Sequence, residues 1–525
     1  MKPAEKILHK VRRSIESVAY GSPLYHKLLS SGEAPDRLSF VLADPWPGHA
    51  DQGLSLINAQ PFLFDSPPAP HPATALRNLR AVGTAQARGY AMQMIGGWLQ
   101  NNERWNDVEW SAGALGERIA AWVGFYDFYT QNAPPEFIDA LVASLYRQWK
   151  HLVRALPPTL RGRDGLRAIK GLMVGGLNFE DGDKALGLAF EQLRRLMEEE
   201  IMPDGGHISR SPARHLLMLR YLIDIRNLFR AAEIEVPDPL RTGIAAMVPV
   251  LKFYRYGDGG LGLFHGGGEE TSLMIDAVLT QAEIKSRVLR RLPETGYERV
   301  TAGRSLLVVD GAAPPPRDHD LEAHAGLGSF EFSQGRERIL VNCGIPDHAD
   351  SAWRMACAAT AAHSTLTIND INAAEIIPDG GVVHAIACDM QRYELEGNPC
   401  VEVMHDGYSA KFGITHKRHL CLAADGDTLT GMDTIIGNTP QPFTLRWHLH
   451  PQIQASLTHG GQTALLRTQS GIGWRLRVDT FPVGMEAGLY CGDGTAQRSQ
   501  QLKIAGTSCI GETRIRWTLT REKKA

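Results

Sequence analysis

The sequence predicts an α+β chain in two parts: stacked helix pairs, as a bundle or an α/α toroid, followed by an antiparallel β-sandwich. Two observations carry this. From about residue 75 to about 290, apolar residues recur with the helical period. Leu115, Ile119, Trp122, Tyr126 and Tyr129 step by four, three, four and three, and Leu186, Phe190, Leu193, Met197 and Met218, Leu222, Ile225, Phe229 do likewise. Beyond about 295 the texture becomes short β-branched segments between DG, GG and GN turn signals. Examples are SLLVVD (305–310), RILVN (338–342), STLTIND (364–370), VVHAIACD (382–389), TLRWHLHP (444–451) and GWRLRVDTF (473–481). At 525 residues the chain exceeds one usual core, and the seam is expected within RRLPETGYERVTAGR (290–304).

The composition is that of an ordinary globular protein, 43% hydrophobic and 22% charged. A formal net charge of −3 provides no global basic field, so nucleic acid is not an expected partner. The seven cysteines are odd in number and include no C-x-x-C pair, which argues against a disulfide framework or a zinc ribbon. The basic start, MKPAEKILHKVRRSIESVAYGSPLYHK, lacks the apolar stretch of a secretory signal, and no run of 18 apolar residues predicts a membrane span. A cytoplasmic location is therefore expected, with the periplasm as the alternative for a polysaccharide-active chain.

Taken in order, an N-terminal extension (1–74) leads into the helical part (75–292), and the sandwich follows (293–525). Three loops carry chemistry. LRGRDGLR (160–167) is basic and precedes a helical stripe. DGGHISRSP (204–212) opens with a turn signal, and Ser211 and Pro212 suit the N-cap and first position of the next helix. His207, Ser209 and Arg210 exceed what a connector needs. YRYGDGGLGLFHGGGEET (254–271) carries seven glycines without a phosphate-loop pattern. Glycines at this density let backbone approach a ligand or a neighbouring domain closely. Arg255, Tyr256, Asp258 and His265 are its reactive groups. In the sandwich half, His448 and His450 alternate on a strand and face one side. His416 and His419 are three apart and face opposite sides.

DGGHISRSP, HAGLGSFEFSQGRERILVNCG (324–344), AAHSTLTI (361–368) and HDGYSAKFGITHKRHL (405–420) together resemble the heparinase II/III-like family of bacterial polysaccharide lyases, in an alphaproteobacterial-type subgroup. The resemblance spans roughly residues 75 to 520. It implies an N-terminal α/α toroid, an incomplete barrel, and a C-terminal antiparallel β-sandwich. It also implies β-elimination at a uronic acid. One group neutralises the carboxylate, a base removes the C5 proton and an acid protonates the leaving oxygen. No cofactor is required for those steps.

Several family positions are altered. Where lyases of known activity have a tyrosine after SP-x, this chain has Arg214, followed by His215. Their Asn-His before the preceding helix reads Arg163-Asp164. The first histidine of their His-x-His is Glu322. Their metal ligands correspond to His324, His363 and, in place of an aspartate, Asn342. With a neutral amide among the ligands, a divalent ion such as zinc is expected to be absent or weakly bound.

The leading expectation is a lyase acting on an acidic polysaccharide through a remodelled site. Arg163 or Arg210 neutralises the carboxylate, and His207, Tyr256 or Tyr408 takes the proton. Arg214, His215, Arg255, His265 and Glu322 bind substrate. His207 and Arg210 are expected to line a cleft with Arg255 or Tyr256, on an exposed loop whose substitution leaves the melting temperature unchanged. The alternatives are a non-catalytic glycan-binding protein and a hydrolase using Glu269 with Asp258. The oligomeric state is left open, a dimer included.

Overall fold

The structure, a computed structural model, describes residues 16–58, 72–180, 182–347, 349–377, 381–382 and 386–522. Secondary structure changes from helix to strand at Arg291, as the change of period predicts. Packing divides the chain differently, into two compact units: residues 1–198 with 218–244, and 199–217 with 245–525. The DGGHISRSP loop and the glycine-rich loop thus pack with the sandwich, although both lie between helices. Of the expected extension, residues 1–15 and 59–71 lie outside the described part, as do residues 383–385 of the expected strand VVHAIACD.

The first unit is the α/α toroid. Its helices include Pro72–Val82, Ala85–Asn101, Ala112–Gly124, Pro135–Arg154 and Gly162–Gly176. Leu115, Ile119, Trp122 and Tyr129 are buried as the stripe requires, while Tyr126 is half-buried where the helix breaks after Gly124. On Gly182–Glu200 the buried face runs through Ala185, Ala189, Leu193 and Leu196, so Leu186 and Phe190 sit at its margin. Helices Ala112–Gly124 and Gly162–Gly176 cross at Gly116 and Gly171. A Cβ on Gly171 would lie 2.3 Å from the Gly116 Cα, so any larger residue forces the helices apart. Ion pairs tie the interior polar groups together: Arg77 to Asp44 (2.8 Å), Lys170 to Asp224 (2.7 Å) and Arg167 to Glu117. Trp46 Nε1 donates to Asp224 at 2.8 Å.

The second unit holds the strands β1 (Arg291–Leu292), β2 (Tyr297–Ala302), β3 (Ser305–Asp310), β4 (Phe330–Gln334), β5 (Glu337–Val341), β6 (Leu366–Ile368), β7 (Cys388–Leu395), β8 (Asn398–Tyr408) and β9 (Ile414–Leu422). They continue as β10 (Thr428–Gly437), β11 (Pro442–Leu449), β12 (Gln454–Thr458), β13 (Thr463–Arg467), β14 (Gly473–Val478), β15 (Gly484–Tyr490), β16 (Gln497–Thr507) and β17 (Gly511–Arg521). One sheet has the order β1-β2-β3-β4-β5-β11-β16-β15 with β6 on β11, and the other β12-β13-β14-β17-β10-β9-β8-β7. All ladders within the two sheets are antiparallel, and their inner faces share one apolar core. At its centre Phe330 stacks on Trp517 at 5.8 Å, and Trp447 meets Trp517 edge-on at 5.5 Å.

A charged network crosses that core. Arg418 Nε and His416 Nε2 each donate to Asp433 Oδ1 at 2.8 Å, and Trp517 Nε1 donates to Asp433 Oδ2 at 3.0 Å. Arg418 also donates to the carbonyls of Gly328 and Ser364. Burial alone would raise the Asp433 pKa; Arg418 and His416 instead hold it far below the usual carboxylate range. Much of the HDGYSAKFGITHKRHL signature is therefore a fold network.

Seven scattered cysteines predicted no disulfide framework, yet Cys400 and Cys421 are disulfide-bonded, being directly opposed on β8 and β9 with Cα atoms 4.1 Å apart. Pairing of this kind comes from strand register, which Cys spacing does not reveal.

Candidate functional site

The DGGHISRSP loop forms as its local chemistry dictates. Gly205 takes a positive φ of 85°, and Asp204 Oδ1 accepts from the Gly206 amide at 3.0 Å. Ser211 Oγ faces the Arg214 amide at 3.4 Å, as an N-cap should. The other Asp204 oxygen accepts from the amides of Glu294 and Thr295, in the β1–β2 turn. The loop is thus fastened to the first hairpin of the sandwich.

Arg210 completes that fastening. Its Nε donates to Thr295 O at 2.7 Å, Nη1 to the carbonyls of Ala312 (3.1 Å) and Ala313 (2.7 Å), and Nη2 to Gly296 O and to Asp310. Its guanidinium also lies 5.2 Å from the Tyr297 ring, and the Tyr297 hydroxyl donates to its carbonyl. The residue is 4% exposed and sits at φ 60°. The expected exposed carboxylate clamp is instead an internal brace, because every guanidinium nitrogen is already directed at protein oxygen. His207 is equally enclosed. Its Nδ1 lies 2.7 Å from Ser209 Oγ and its Nε2 3.2 Å from Glu200. Arg210 does join the glycine-rich segment, but inside the protein: His265 Nε2 lies 3.1 Å from the Asp310 that Arg210 binds.

The glycine-rich loop lies flat on the sandwich. A Cβ on Gly257 would meet Gly335 O at 1.8 Å, on Gly260 the Arg338 guanidinium at 2.7 Å, and on Gly266 the Glu322 side chain at 2.9 Å. These three glycines serve close packing against the β4–β5 turn, strand β5 and the segment between β3 and β4.

Other expected site residues are also interior. Tyr408 is 1% exposed and donates to Leu366 O at 2.7 Å; burial raises its pKa far beyond any useful base. His215 is fully buried, with Nε2 donating to Met247 O at 2.9 Å. Tyr256 is buried over Arg338, 4.7 Å from ring to guanidinium, and burial lifts its pKa well above the usual value. Arg255 is half-buried and binds Gly259 O and Asp276. Arg163 is exposed at the start of Gly162–Gly176, in the first unit.

Arg338 organises a cluster that sequence reading missed. It bonds to Asp258 at 2.6 Å and lies 3.5 Å from Glu269, which accepts the Tyr490 hydroxyl and stands 3.9 Å from His450. One cation therefore binds both carboxylates of the expected hydrolase pair. Against the effect of burial, Arg338 holds Asp258 below its ordinary pKa, so Asp258 is unsuited to donate a proton as a glycosidase acid. Beneath them Glu331 is fully buried, accepting amides from Leu263 and Asn342; burial lifts its pKa to about 7 despite Arg338. No local motif marks Arg338, Glu331 or Tyr490, which come from three different strands. A cavity of about 870 Å³ opens elsewhere in this unit, among Gln454, Leu465, Trp474 and Arg521, and holds none of these groups.

The half-exposed pair of the site is Arg214 and Glu322. Arg214 Nε and Nη2 bond to the two oxygens of Glu322 in the fork geometry that arginine offers a carboxylate.

The residues expected to hold a metal do not fit one. Ala359 O can only accept, so His363 donates from Nδ1 (2.8 Å) and its Nε2 accepts from His324 Nδ1 (2.9 Å). His324 Nε2 in turn accepts the Gly266 amide at 3.0 Å. Both imidazoles are neutral, burial holding His363 at about 4 and His324 well below its usual value, and their lone pairs are occupied. Asn342 Oδ1 accepts from the Ser364 amide at 3.0 Å, which leaves its buried Nδ2 without a partner where a carboxylate would present a second oxygen. An NH2 group repels a cation. Wild-type protein is expected to retain no stoichiometric zinc at this site after chelator dialysis, and Asn342→Asp to gain it, as read by metal analysis. Equal zinc in both chains would refute this assignment.

The architecture, a toroid followed by a two-sheet sandwich, is that of the heparinase-type polysaccharide lyases. The model of the heparinase II/III-like family's C-terminal domain matches residues 284–518. The chain is 28% identical over 472 residues to FtsZ-localized protein C of Caulobacter vibrioides (strain NA1000 / CB15N), covering 85% of this chain and 80% of that protein. Among solved structures it resembles heparinase III, with a TM-score of 0.70 and 15% identity over 86% of this chain and 75% of the other. A mutant of the heparan sulfate lyase HepC from Pedobacter heparinus aligns with a TM-score of 0.64 and 14% identity, over all of this chain and 92% of the other. At these identities the likeness to solved structures concerns the fold. Among the described residues, no helix is long and apolar enough to cross a membrane.

Proposed function

We propose that this protein binds an acidic, uronate-containing glycan without cleaving it, as a non-catalytic member of the lyase fold. One observation carries the reading: Arg214 and Glu322, which replace the family's tyrosine and histidine, form an ion pair with each other. Elimination needs a base that can surrender its lone pair to a proton and an acid that can replace it. A mutually neutralised arginine and carboxylate offers neither. The other expected bases, His207, Tyr256 and Tyr408, are buried. The relative in Caulobacter is named for where it localises rather than for a reaction, which agrees with this reading.

A panel of uronic-acid polymers tests it. Ultraviolet absorbance of the unsaturated sugar product is expected to stay at the level of a no-enzyme control, while affinity electrophoresis shows retardation by at least one polymer. Glu322→Gln releases Arg214 from its carboxylate and is expected to strengthen retardation severalfold, since a half-exposed pair is worth about 1 kcal/mol or less. Steady production of unsaturated sugar would establish the lyase instead. Absence of retardation by every polymer would dismiss glycan binding.

A further inference from the structure

The outer face of the second sheet carries a group of side chains, built around the Cys400–Cys421 disulfide, that the site above does not use. Cys400 on β8 and Cys421 on β9 are cross-strand partners. His419 is two residues before Cys421, so its side chain leaves the same face. Its Nε2 lies 3.3 Å from Cys421 Sγ. Tyr393, the β7 partner of Cys400, stacks its ring on His419 at 5.5 Å and 17°, covering the group from the edge side. Cys400 is buried although it points away from the sandwich core, and Cys421 is 7% exposed. The two sulfurs and the imidazole nitrogen all lie within 4.8 Å of one another.

From this geometry we infer that Cys400, His419 and Cys421 form a redox-gated site for a thiophilic divalent cation, zinc or its cobalt(II) probe. With the disulfide closed, the sulfurs are spent on each other. Opened, they become two thiolates opposite a preplaced imidazole, the Cys2His set that a tetrahedral zinc takes with a fourth, exogenous ligand. Zinc–sulfur and zinc–nitrogen bonds of about 2.3 and about 2.0 Å fit around a centre shared by three ligand atoms this close, after rotation of the cysteine side chains. Soft thiolates select zinc or cobalt over magnesium and calcium. The rigid ladder on both sides fixes the three ligand positions before the cation arrives, and the stacked Tyr393 holds the imidazole plane. In a reducing compartment the open form is the expected one.

The chemistry balances with a phosphine as reductant. Phosphine and water give phosphine oxide, and their two electrons and two protons convert the S–S bond into two thiols. Binding of the cation then releases both thiol protons to solvent.

The test uses the full chain, before and after phosphine reduction, titrated with cobalt(II). The reduced chain is expected to bind one equivalent with the intense visible bands of a tetrahedral thiolate site, and zinc to bleach them. The oxidised chain is expected to show none. Cys400→Ser and Cys421→Ser are expected to abolish the signal, and His419→Ala, which keeps both thiols, to weaken binding about tenfold or more. Circular dichroism of each variant confirms its fold. If the reduced wild type shows no tetrahedral cobalt spectrum, the pair is only a disulfide and the proposal falls. Bands that persist in Cys400→Ser would locate the cation at other thiols, such as Cys343, Cys357 and Cys491, and overturn it equally.

Discussion

Arg210→Ala is expected to lower the melting temperature by about 10 °C or more, or to prevent accumulation of folded protein. The substitution strips four carbonyls and one carboxylate of their shared donor in a single step. Asp310 is 2% exposed. Burial alone would raise its pKa; Arg210 and His265 together pull it below the usual value. Without Arg210 it must stay charged in a dry site or take up a proton. Breaking a buried pair by removing one partner costs about 3–5 kcal/mol, which for a domain of this size corresponds to the stated shift. Arg210→Lys keeps the charge but cannot reach five acceptors, so it falls between wild type and Ala. Arg255→Ala serves as the contrast: its half-exposed pair with Asp276 is expected to shift melting by no more than about 2 °C. Scanning calorimetry decides, and an Arg210→Ala midpoint equal to that of Arg255→Ala would show the brace to be dispensable.

This result would invert what the loop suggested as sequence. The turn at Asp204-Gly205-Gly206 and the cap at Ser211 were legible, because both depend on residues within three positions of each other. The period change near 295 was legible because each helix and strand buries a face of its own. Arg210 was not. An arginine's role depends on its partner, and Asp310 is 100 residues away. The same limit hid the Cys400–Cys421 pair, which arises from register, and the Arg338 cluster, whose members meet only after β4, β5 and β15 are assembled. The glycine-rich loop was half legible. Its glycines do mark close approach, but to the chain's own strands. His416 and His419 were read as facing opposite sides, and they do: one bonds to Asp433 in the core, the other lies over the cysteines outside.

Acid is expected to unfold the second unit between about pH 6.5 and pH 4, through histidines more than carboxylates. His215 is held at about 3, and His363 and His448 at about 4, in each case chiefly by burial; His324 and His405 are also held well below their usual value. In the unfolded chain all five return to about 6.5. Below that pH the unfolded state binds protons that the folded state refuses, so stability falls as pH falls until the folded-state values are reached. Glu331 acts in the opposite sense. Burial raises it to about 7 from an ordinary 4.5, so it stabilises the acidic side and loses that contribution as pH rises through 7. One such group offsets one histidine. The remaining four protons give a slope of about 5 kcal/mol per pH unit, an upper bound, against a typical total of about 5–15 kcal/mol. Depressed Asp433 and Asp310 add their own loss below their ordinary carboxylate pKa, in the same direction. Urea titrations at pH 7 and pH 5, followed by tryptophan fluorescence of Trp447, Trp474 and Trp517 in the sandwich core, read the effect directly. His215→Gln removes one of the five and is expected to reduce the slope by about 1.4 kcal/mol per pH unit. A urea midpoint that is the same at pH 5 as at pH 7 would mean that these histidines reach water or protons in the folded state, and the buried neutral network drawn around His324 and His363 would have to be abandoned.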